Sequence, residues 1–373
     1  MTGPAPAAGW APPAGVSSEA RRFEGGAIDV HRHAPPARRV VVAVSPADGR
    51  GRPPAPGFGT AFALGRGHDV VALRGDGPTW TAEACRAAAR ALGPVLAGFA
   101  DAEVVVYGSS NAGVAALWIG GATRAARVVA VSPLRARYAC GSPVDPAADR
   151  GRDPAVAWPD IPGPADLPAP LRATVLFDPL LPVDASVVAD LERSLGPRLS
   201  AIPIPGSGHP SAGFLSRTGQ LSATMTALLA DRPPPPVRAD WAVARDVAPW
   251  LVAIGHRARA SGRAALAERL YRRAMRVEPE AFDPPLQLSR LLRVAGRAAE
   301  AEAAADRAAR REAPAPARAT IALAQALARM DRGDLRGARA ALDAVPAARR
   351  EAAWDRTRAE IRQRAPWWAR AWW

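Results

Sequence analysis

Ser110 is the residue of this chain best placed to act as a nucleophile. A β-branched apolar run, Val104–Tyr107, precedes it, and after Gly108-Ser-Ser-Asn-Ala112 the apolar residues return at helical spacing. This pattern predicts a strand, a tight turn and a helix, which is a G-x-S-x-A form of the nucleophile elbow. The turn would push the serine hydroxyl out of a sheet edge and leave helix N-terminal N–H groups to bind an oxyanion. A structural Gly/Ser turn is the alternative that the motif alone leaves open.

Two later segments supply a carboxylate and an imidazole. Ala173–Asp178 has the pattern of a buried strand that ends in an acid, and the proline after it cannot continue a central strand. Leu199–Pro205 predicts a short strand, and the loop that follows carries His209. Singly, an Asp before a proline is a common turn former and a loop histidine is commonly solvated. In the order Ser110, Asp178, His209 they predict a catalytic triad.

The sequence also contains alternatives for the base and the acid. The other histidines are His31 and His33, which precede the first strong strand, His68, which begins a strand, and His256, which lies in a helical stretch. Asp184 is the rival acid, but its surroundings predict the first turn of a helix, where a carboxylate suits the helix dipole. We therefore expect His209 to be the base and Asp178 to be the acid.

These motifs resemble those of a known enzyme superfamily. Residues 38–230 resemble the α/β-hydrolases, in particular bacterial hydrolase-like proteins with a Tyr107-Gly-Ser-Ser110 elbow, a strand closing in Ser132-Pro133 and an acid strand ending in Asp178-Pro179. The resemblance implies a Ser110 nucleophile, a His209 base and an Asp178 orienting acid. It also implies oxyanion donors from the N–H of Asn111 and from the loop after the Val40–Ser45 strand. Nothing in the family pattern fixes the substrate.

The remaining apolar runs predict an α/β fold with a mostly parallel sheet. Continuous apolar strands are typical of sheets buried on both faces, and predicted helices separate several of them. The predicted strands are Arg39–Ser45, His68–Leu73, Glu103–Tyr107, Arg127–Ser132, Ala173–Phe177 and Leu199–Ile204; the helices are Thr81–Ala97, Ala112–Ile119 and Asp184–Ser194. The proline-rich segment 134–171 is too long for an ordinary connection and lies where a lid would be.

Composition sets the expected domain limits. With 373 residues and 49% hydrophobic content, the chain can form two domains with real cores. We expect a disordered Ala/Pro-rich arm over 1–20, an α/β-hydrolase-like domain over 21–231 and a proline-rich linker over 232–239. The arm lacks the features of a secretory signal, and no transmembrane segment is expected. Cys85 and Cys140 form no metal or disulfide pattern, so we expect a cytoplasmic protein without metal or other cofactor.

Residues 240–365 are rich in Ala, Arg, Leu and Glu and contain an internal repeat. Ile254, Gly262, Ala267 and Ala274 align at a shift of 34 with Leu288, Gly296, Ala301 and Ala308, and a looser copy with Gly333, Ala338, Leu342 and Val345 follows at a shift of 37. The period is that of a tetratricopeptide repeat, and Gly255, Tyr271 and Pro279 match its Gly, aromatic and Pro positions. A generic Ala-rich helical bundle is the alternative. The repeats predict a domain that binds a protein partner.

The excess of positive charge belongs to this second domain. All 49 basic residues are arginine, and 27 of them lie from Arg238 onward against 16 acids. This favours an acidic partner, whereas no motif indicates sequence-specific nucleic-acid binding. The tail 366–373 combines tryptophan with arginine. We expect it either to cap the last helix pair or pack back onto the hydrolase-like domain, or to contact a membrane surface or an acidic partner.

The sequence as a whole predicts a serine hydrolase or acyl transferase that acts on an ester or related acyl group, on a small molecule or a glycan, and is joined to a protein-binding repeat domain. Two alternatives remain. One is a scaffold whose hydrolase-like domain is inactive. The other is a repeat adaptor in polysaccharide or surface-glycan assembly.

Overall fold

The computed structural model describes residues 10–46, 57, 59–77, 80–123, 125–134, 160–313, 315–345 and 352–364. Its contacts divide the described chain into two compact units, the first ending at Ala239 and the second, called the helical unit below, beginning at Asp240. No helix within the described ranges is both long enough and apolar enough to cross a bilayer.

The first unit is built on one eight-stranded sheet. Its strands are β1 (Val16–Phe23), β2 (Gly26–His33), β3 (Arg39–Val44), β4 (Asp69–Gly75), β5 (Glu103–Ser109), β6 (Arg127–Val131), β7 (Arg172–Phe177) and β8 (Leu199–Pro203). Their order in the sheet is β1-β2-β4-β3-β5-β6-β7-β8. The pairs β1/β2 and β2/β4 are antiparallel, and every other pair is parallel.

Helices cover this sheet and follow its parallel strands. They are α1 (Thr60–Leu64), α2 (Ala82–Ala97), α3 (Asn111–Ala122), α4 (Pro182–Leu195), α5 (Ser211–Arg217) and α6 (Leu221–Leu229). Val40, Val42 and Val44 pack in the core cluster that includes α2, α3 and α4. Val41 and Ala43, which point to the opposite face, are also buried. Because both faces are covered, these strands are apolar throughout, and the predicted α/β class is confirmed.

The sheet begins earlier in the chain than the sequence pattern indicates. Strand β1 includes Val16–Ala20, so the arm expected over residues 1–20 does not extend that far. β1 is an edge strand with mostly exposed polar side chains, and it therefore gives no apolar signal. β2 is buried but contains Asp29 and His31, which are paired with Arg74 and Ser18 respectively. Polar residues satisfied in this way hide a strand from hydrophobic periodicity.

The second unit is helical. Its helices are α7 (Trp241–Ala244), α8 (Ala248–Ala260), α9 (Ala264–Val277), α10 (Asp283–Val294), α11 (Ala298–Ala309), α12 (Ala315–Asp331), α13 (Leu335–Asp343) and α14 (Ala352–Arg364). The pairs α8/α9, α10/α11 and α12/α13 pack together, and α14 contacts α12 and α13. The Nε1–H of Trp354 on α14 donates to the carbonyl of Leu342 at 2.9 Å.

The turns within the three helix pairs have the same backbone geometry. Each contains a left-handed glycine: Gly262 and Gly296 at φ +73 and Gly333 at φ +82. In each turn the glycine N–H donates to the carbonyl three residues earlier, and the next N–H donates to the carbonyl five residues earlier, at 2.8–3.0 Å. In the first pair, a Cβ on Gly255 would lie 2.5 Å from the Tyr271 ring, so the two helices require a residue without a side chain there. The repeated sequence positions therefore correspond to repeated local structure.

Candidate active site

Ser110 lies on a strained turn between β5 and α3. It is the N-cap of α3, with φ 57 and ψ −127, a conformation that is costly for any residue other than glycine. A Cβ on Gly108 would lie 2.1 Å from the carbonyl oxygen of Ala112, and one on Gly113 would lie 2.9 Å from the Cα of Pro133. The glycines of the motif thus allow strand and helix to approach closely enough to form the elbow.

Backbone hydrogen bonds fix this turn at the carboxyl edge of the sheet. The Ser110 N–H donates to Val131 O at 2.9 Å, at the end of the neighbouring strand β6. The Ser110 carbonyl accepts from Gly113 N at 2.9 Å and Leu134 N at 3.0 Å. The strained serine is therefore held from both sides, which is what keeps such a conformation populated.

His209 connects the serine to a carboxylate. Its Nε2 lies 2.9 Å from Ser110 Oγ, and its Nδ1 lies 3.1 Å from Asp184 Oδ1. The side chains of His209 and Asp184 are 5% and 0% exposed, so water competes little for these contacts. An ionised carboxylate can only accept hydrogen bonds, so Nδ1 carries the ring proton and Nε2 accepts the Ser110 hydroxyl. The three side chains form a continuous relay from hydroxyl to carboxylate.

The carboxylate that contacts the His209 imidazole is that of Asp184. The expectation that Asp178 would make this contact was wrong. Asp178 Oδ1 accepts N–H groups of Leu180 and Gly206, both at 2.9 Å, and Oδ2 accepts that of Gly208 at 2.8 Å. After β7 the chain turns and enters α4, whose first turn directs Asp184 at the imidazole. The expected helix start at Asp184 lies close to the observed start at Pro182. The Asp184 carboxylate, however, contacts the His209 imidazole, which is a nearer partner than the helix dipole.

Asp178 organises the surroundings of the relay. Its two oxygens bind the loop that carries His209, and its own backbone N–H donates to Asp184 Oδ2 at 3.4 Å. Burial raises the pKa of the Asp178 carboxyl, and the neighbouring charge of Asp184 adds to this increase. The three backbone N–H donors act in the opposite direction by favouring the ionised form. Asp178 therefore holds both the loop that carries His209 and the carboxylate of Asp184 in place.

The other histidines have partners elsewhere or lie away from this relay. His31 Nδ1 is 2.7 Å from Ser18 Oγ, and His33 Nδ1 is 3.2 Å from Asp69 Oδ1. His256 Nδ1 is 3.3 Å from the Tyr271 hydroxyl, in the helical unit. His68 directly precedes β4, whereas the sequence pattern places it as the first residue of that strand. His209 is thus the histidine that the fold brings to Ser110.

Several predicted features fall wholly or partly outside the described residues. Asn111, the expected oxyanion donor, is the first residue of α3 and is 7% exposed. The loop expected to supply a second donor includes residues 47–56, which are not described. The same holds for residues 135–159 of the lid-like segment, which include Cys140, and for the tail 366–373.

Cys85 is a free, buried thiol, and burial raises its pKa to about 12. Among the described side chains, no group of three or more metal-ligating residues is placed to hold a metal ion.

Comparisons with known proteins give structural neighbours alone. No family model and no curated protein matches the chain. A hormone-sensitive lipase from a metagenome library is 12% identical, with 60% of this chain and 88% of that chain covered and a TM-score of 0.43. An esterase of the bacterial hormone-sensitive lipase family is 14% identical, with coverages of 60% and 85% and a TM-score of 0.38. A Xanthomonas campestris α/β serine hydrolase without a lid is 13% identical, with coverages of 52% and 85% and a TM-score of 0.32.

Proposed function

We propose that the first unit is a serine hydrolase or acyl transferase that acts on carboxylic esters or related acyl groups. One observation carries this proposal: the unbroken contact series from Ser110 Oγ to His209 Nε2 at 2.9 Å and from His209 Nδ1 to Asp184 Oδ1 at 3.1 Å. A nucleophile, a base and a group that orients the base are the three elements that activated-serine catalysis requires. The proposed catalytic residues are therefore Ser110, His209 and, in place of Asp178, Asp184.

In the proposed acylation step, Ser110 Oγ attacks the acyl carbonyl carbon while His209 Nε2 takes the hydroxyl proton. The imidazolium that forms is stabilised by the negative charge of Asp184, which holds the Nδ1–H. The carbonyl oxygen becomes an oxyanion, for which the Asn111 N–H at the helix start is the proposed donor. As the bond to the leaving group breaks, His209 returns the proton to the departing alcohol. An acyl group on Ser110 remains.

Deacylation repeats these steps with a different nucleophile. His209 removes a proton from water, or from an acceptor hydroxyl in an acyl transferase, and that oxygen attacks the acyl carbon. The Ser110 oxygen then leaves and takes the proton from Nε2, which regenerates the relay. Whether the acceptor is water or a second substrate decides between hydrolysis and transfer.

The strain at Ser110 favours this function over that of an inactive scaffold. In an inactive scaffold a serine at φ 57 would bring only backbone strain, because a glycine would adopt the same turn with less strain. Here the strain coincides with a hydroxyl that contacts a buried imidazole, and that imidazole contacts a buried carboxylate. Strain and buried polar contacts that converge on one atom support a reactive group.

We further propose that the helical unit consists of tetratricopeptide-type repeats that bind a protein partner. The repeated turn geometry and the Gly255–Tyr271 contact support this assignment. Cross-linking of the full chain in cells should give links to a second protein that map to residues 240–364. Intermolecular links confined to the first unit would contradict it.

Hydrolysis of p-nitrophenyl acetate and butyrate by the full chain tests the proposed enzyme activity. The wild-type protein should turn over at least one of these esters, and Ser110→Ala and His209→Gln should abolish turnover. Ser109→Ala is the matched control, because it removes the neighbouring hydroxyl of the same motif and should retain activity. Turnover that survives in Ser110→Ala, or is lost in Ser109→Ala alone, would contradict the assignment.

A further inference from the structure

The loop that carries His209 is also held from the end of β6. Ser132 follows β6 directly and is completely buried. Its N–H donates to Leu176 O on β7 at 2.7 Å, and its Oγ accepts the N–H of Ser211 at 3.0 Å. Ser211 begins α5, two residues after His209. Ser132 therefore holds the backbone that follows His209 in the chain, whereas Asp178 holds the backbone that precedes it.

Three buried hydroxyls join this anchor to the other end of the loop. Ser132 Oγ lies 3.0 Å from Ser211 Oγ, which in turn lies 2.8 Å from Ser207 Oγ. Ser207 and Ser211 are 3% and 0% exposed. Hydroxyls can both donate and accept, so the three can satisfy one another in a chain. The loop from Ser207 to Ser211 is thereby closed on itself and attached to Ser132, with His209 at its centre.

The backbone of Ser132 is in an unfavourable conformation. Its φ is +45, in the left-handed region that favours glycine. Among the described residues, the other non-glycine residues with a positive φ are Ser110 and Asp231. A glycine would relieve the strain at this position, but it could not accept the hydrogen bond from Ser211. The hydroxyl is therefore the feature that distinguishes serine from the less strained residue.

We propose that Ser132 is a positioning residue for His209. It contacts the loop backbone and acts through the imidazole, whose two nitrogens must face Ser110 and Asp184 at the same time. Without the Ser132 hydroxyl, the start of α5 loses its attachment to the sheet, and the imidazole samples orientations in which one of the two contacts is broken. This inference rests on the proposed function for its kinetic effect, but its structural effect can be measured without turnover.

Two substitutions separate the hydroxyl from the strain. Ser132→Ala removes the hydroxyl and keeps the strain, whereas Ser132→Gly removes both. We expect kcat on p-nitrophenyl acetate to fall about 10- to 100-fold in both variants, with KM unchanged, because a misplaced base affects the reaction more than substrate binding. Ser132→Gly should melt at a higher temperature than Ser132→Ala. Ser222→Ala removes an exposed hydroxyl on α6 that accepts a hydrogen bond from Arg66, and it should retain wild-type kcat.

Nitrogen NMR of the imidazole supplies the readout that does not depend on activity. In ¹⁵N-histidine-labelled full-length protein, with the His209 signals assigned by their loss in His209→Gln, the wild type should show the Nδ1–H tautomer. Both Ser132 variants should shift these signals toward the average of the two tautomers. If the wild type turns over no ester but the signals shift as expected, the proposed function fails and the positioning role stands. If Ser132→Gly keeps wild-type kcat or wild-type His209 signals, Ser132 has only a structural role and the proposal is overturned.

Discussion

Replacing Asp184 and Asp178 in turn by asparagine distinguishes the carboxylate that contacts the His209 imidazole from the one that holds the His209 loop. Asp184 receives the His209 Nδ1–H at 3.1 Å on one oxygen and the Asp178 N–H at 3.4 Å on the other. Both partners are donors, whereas an asparagine offers one acceptor and one donor group. Asp184→Asn must therefore turn its NH₂ group toward one of them.

The two amide orientations set the expected range of the kinetic effect. If the amide oxygen stays on His209, the loss is that of the charge, and a hydrogen bond to a charged group contributes about 1.5–3 kcal/mol, or up to about two orders of magnitude in kcat. If the NH₂ group faces His209, the imidazole adopts the wrong tautomer, and the loss approaches about four orders of magnitude. We therefore expect kcat to fall by about two to four orders of magnitude. Because one buried donor then faces the NH₂ group, the free energy of unfolding should also fall, by up to about 3 kcal/mol.

Asp178→Asn should lower stability to a similar extent but leave much more of the turnover. An asparagine that keeps its oxygen on Leu180 and Gly206 leaves the Gly208 N–H facing an NH₂ group. A buried donor without an acceptor costs about 1–3 kcal/mol in the free energy of unfolding, and we expect at most about a tenfold loss in kcat. Steady-state hydrolysis of p-nitrophenyl acetate and urea unfolding of both variants measure the two quantities. A large loss of kcat in Asp178→Asn with near-normal turnover in Asp184→Asn would refute this assignment of roles.

Three further predictions concern packing and protonation. Gly108→Ala places a methyl group 2.1 Å from the Ala112 carbonyl oxygen on α3, so strand and helix must move apart at the elbow. We expect kcat to fall about 100-fold or more. An unchanged kcat would contradict the close approach. Gly255→Ala places a methyl 2.5 Å from the Tyr271 ring and should lower the free energy of unfolding by about 1–3 kcal/mol. Urea titrations measure this energy, and an unchanged value in Gly255→Ala would contradict the close contact. Burial, with smaller contributions from neighbouring arginine charges, lowers the pKa of His256 to about 4 from 6.5. The folded state therefore loses stability as the pH falls from about 6.5 to about 4, by about 3 kcal/mol in all, and His256→Gln should remove this part of the pH dependence of melting; an identical pH dependence in the variant would contradict it.

The sequence predicted the parts of the fold that depend on local apolar pattern. The six predicted strands correspond to β3–β8, with ends that differ by a residue or two, because strands buried on both faces need continuous apolar runs. The β1/β2 hairpin could not be found in this way. Its edge strand is polar and exposed, and the polar residues of its inner strand are satisfied by partners distant in sequence.

The placement of the candidate site residues was predictable where it follows from the element that holds each one. The strand, turn and helix around Ser110 identify its position in the sequence, and the loop after the last strand identifies that of His209. The choice between Asp178 and Asp184 depends instead on the path of the turn between β7 and α4, which two prolines shape and no periodicity encodes. Ser132 was noted in the sequence only as part of the Ser132-Pro133 strand end. Its contact with Ser211 could not be predicted, because the two residues are 79 positions apart in the chain.

Covalent labelling tests most directly whether Ser110 is a nucleophile activated by His209. The full-length protein is treated with a fluorophosphonate probe, digested, and the modified residue is identified by mass spectrometry. We expect one adduct on the Ser110 oxygen, no adduct in Ser110→Ala, strongly slowed labelling in His209→Gln and unchanged labelling in Ser109→Ala. An adduct on Ser109, or labelling of the wild type at the same rate as His209→Gln, would contradict this role of Ser110.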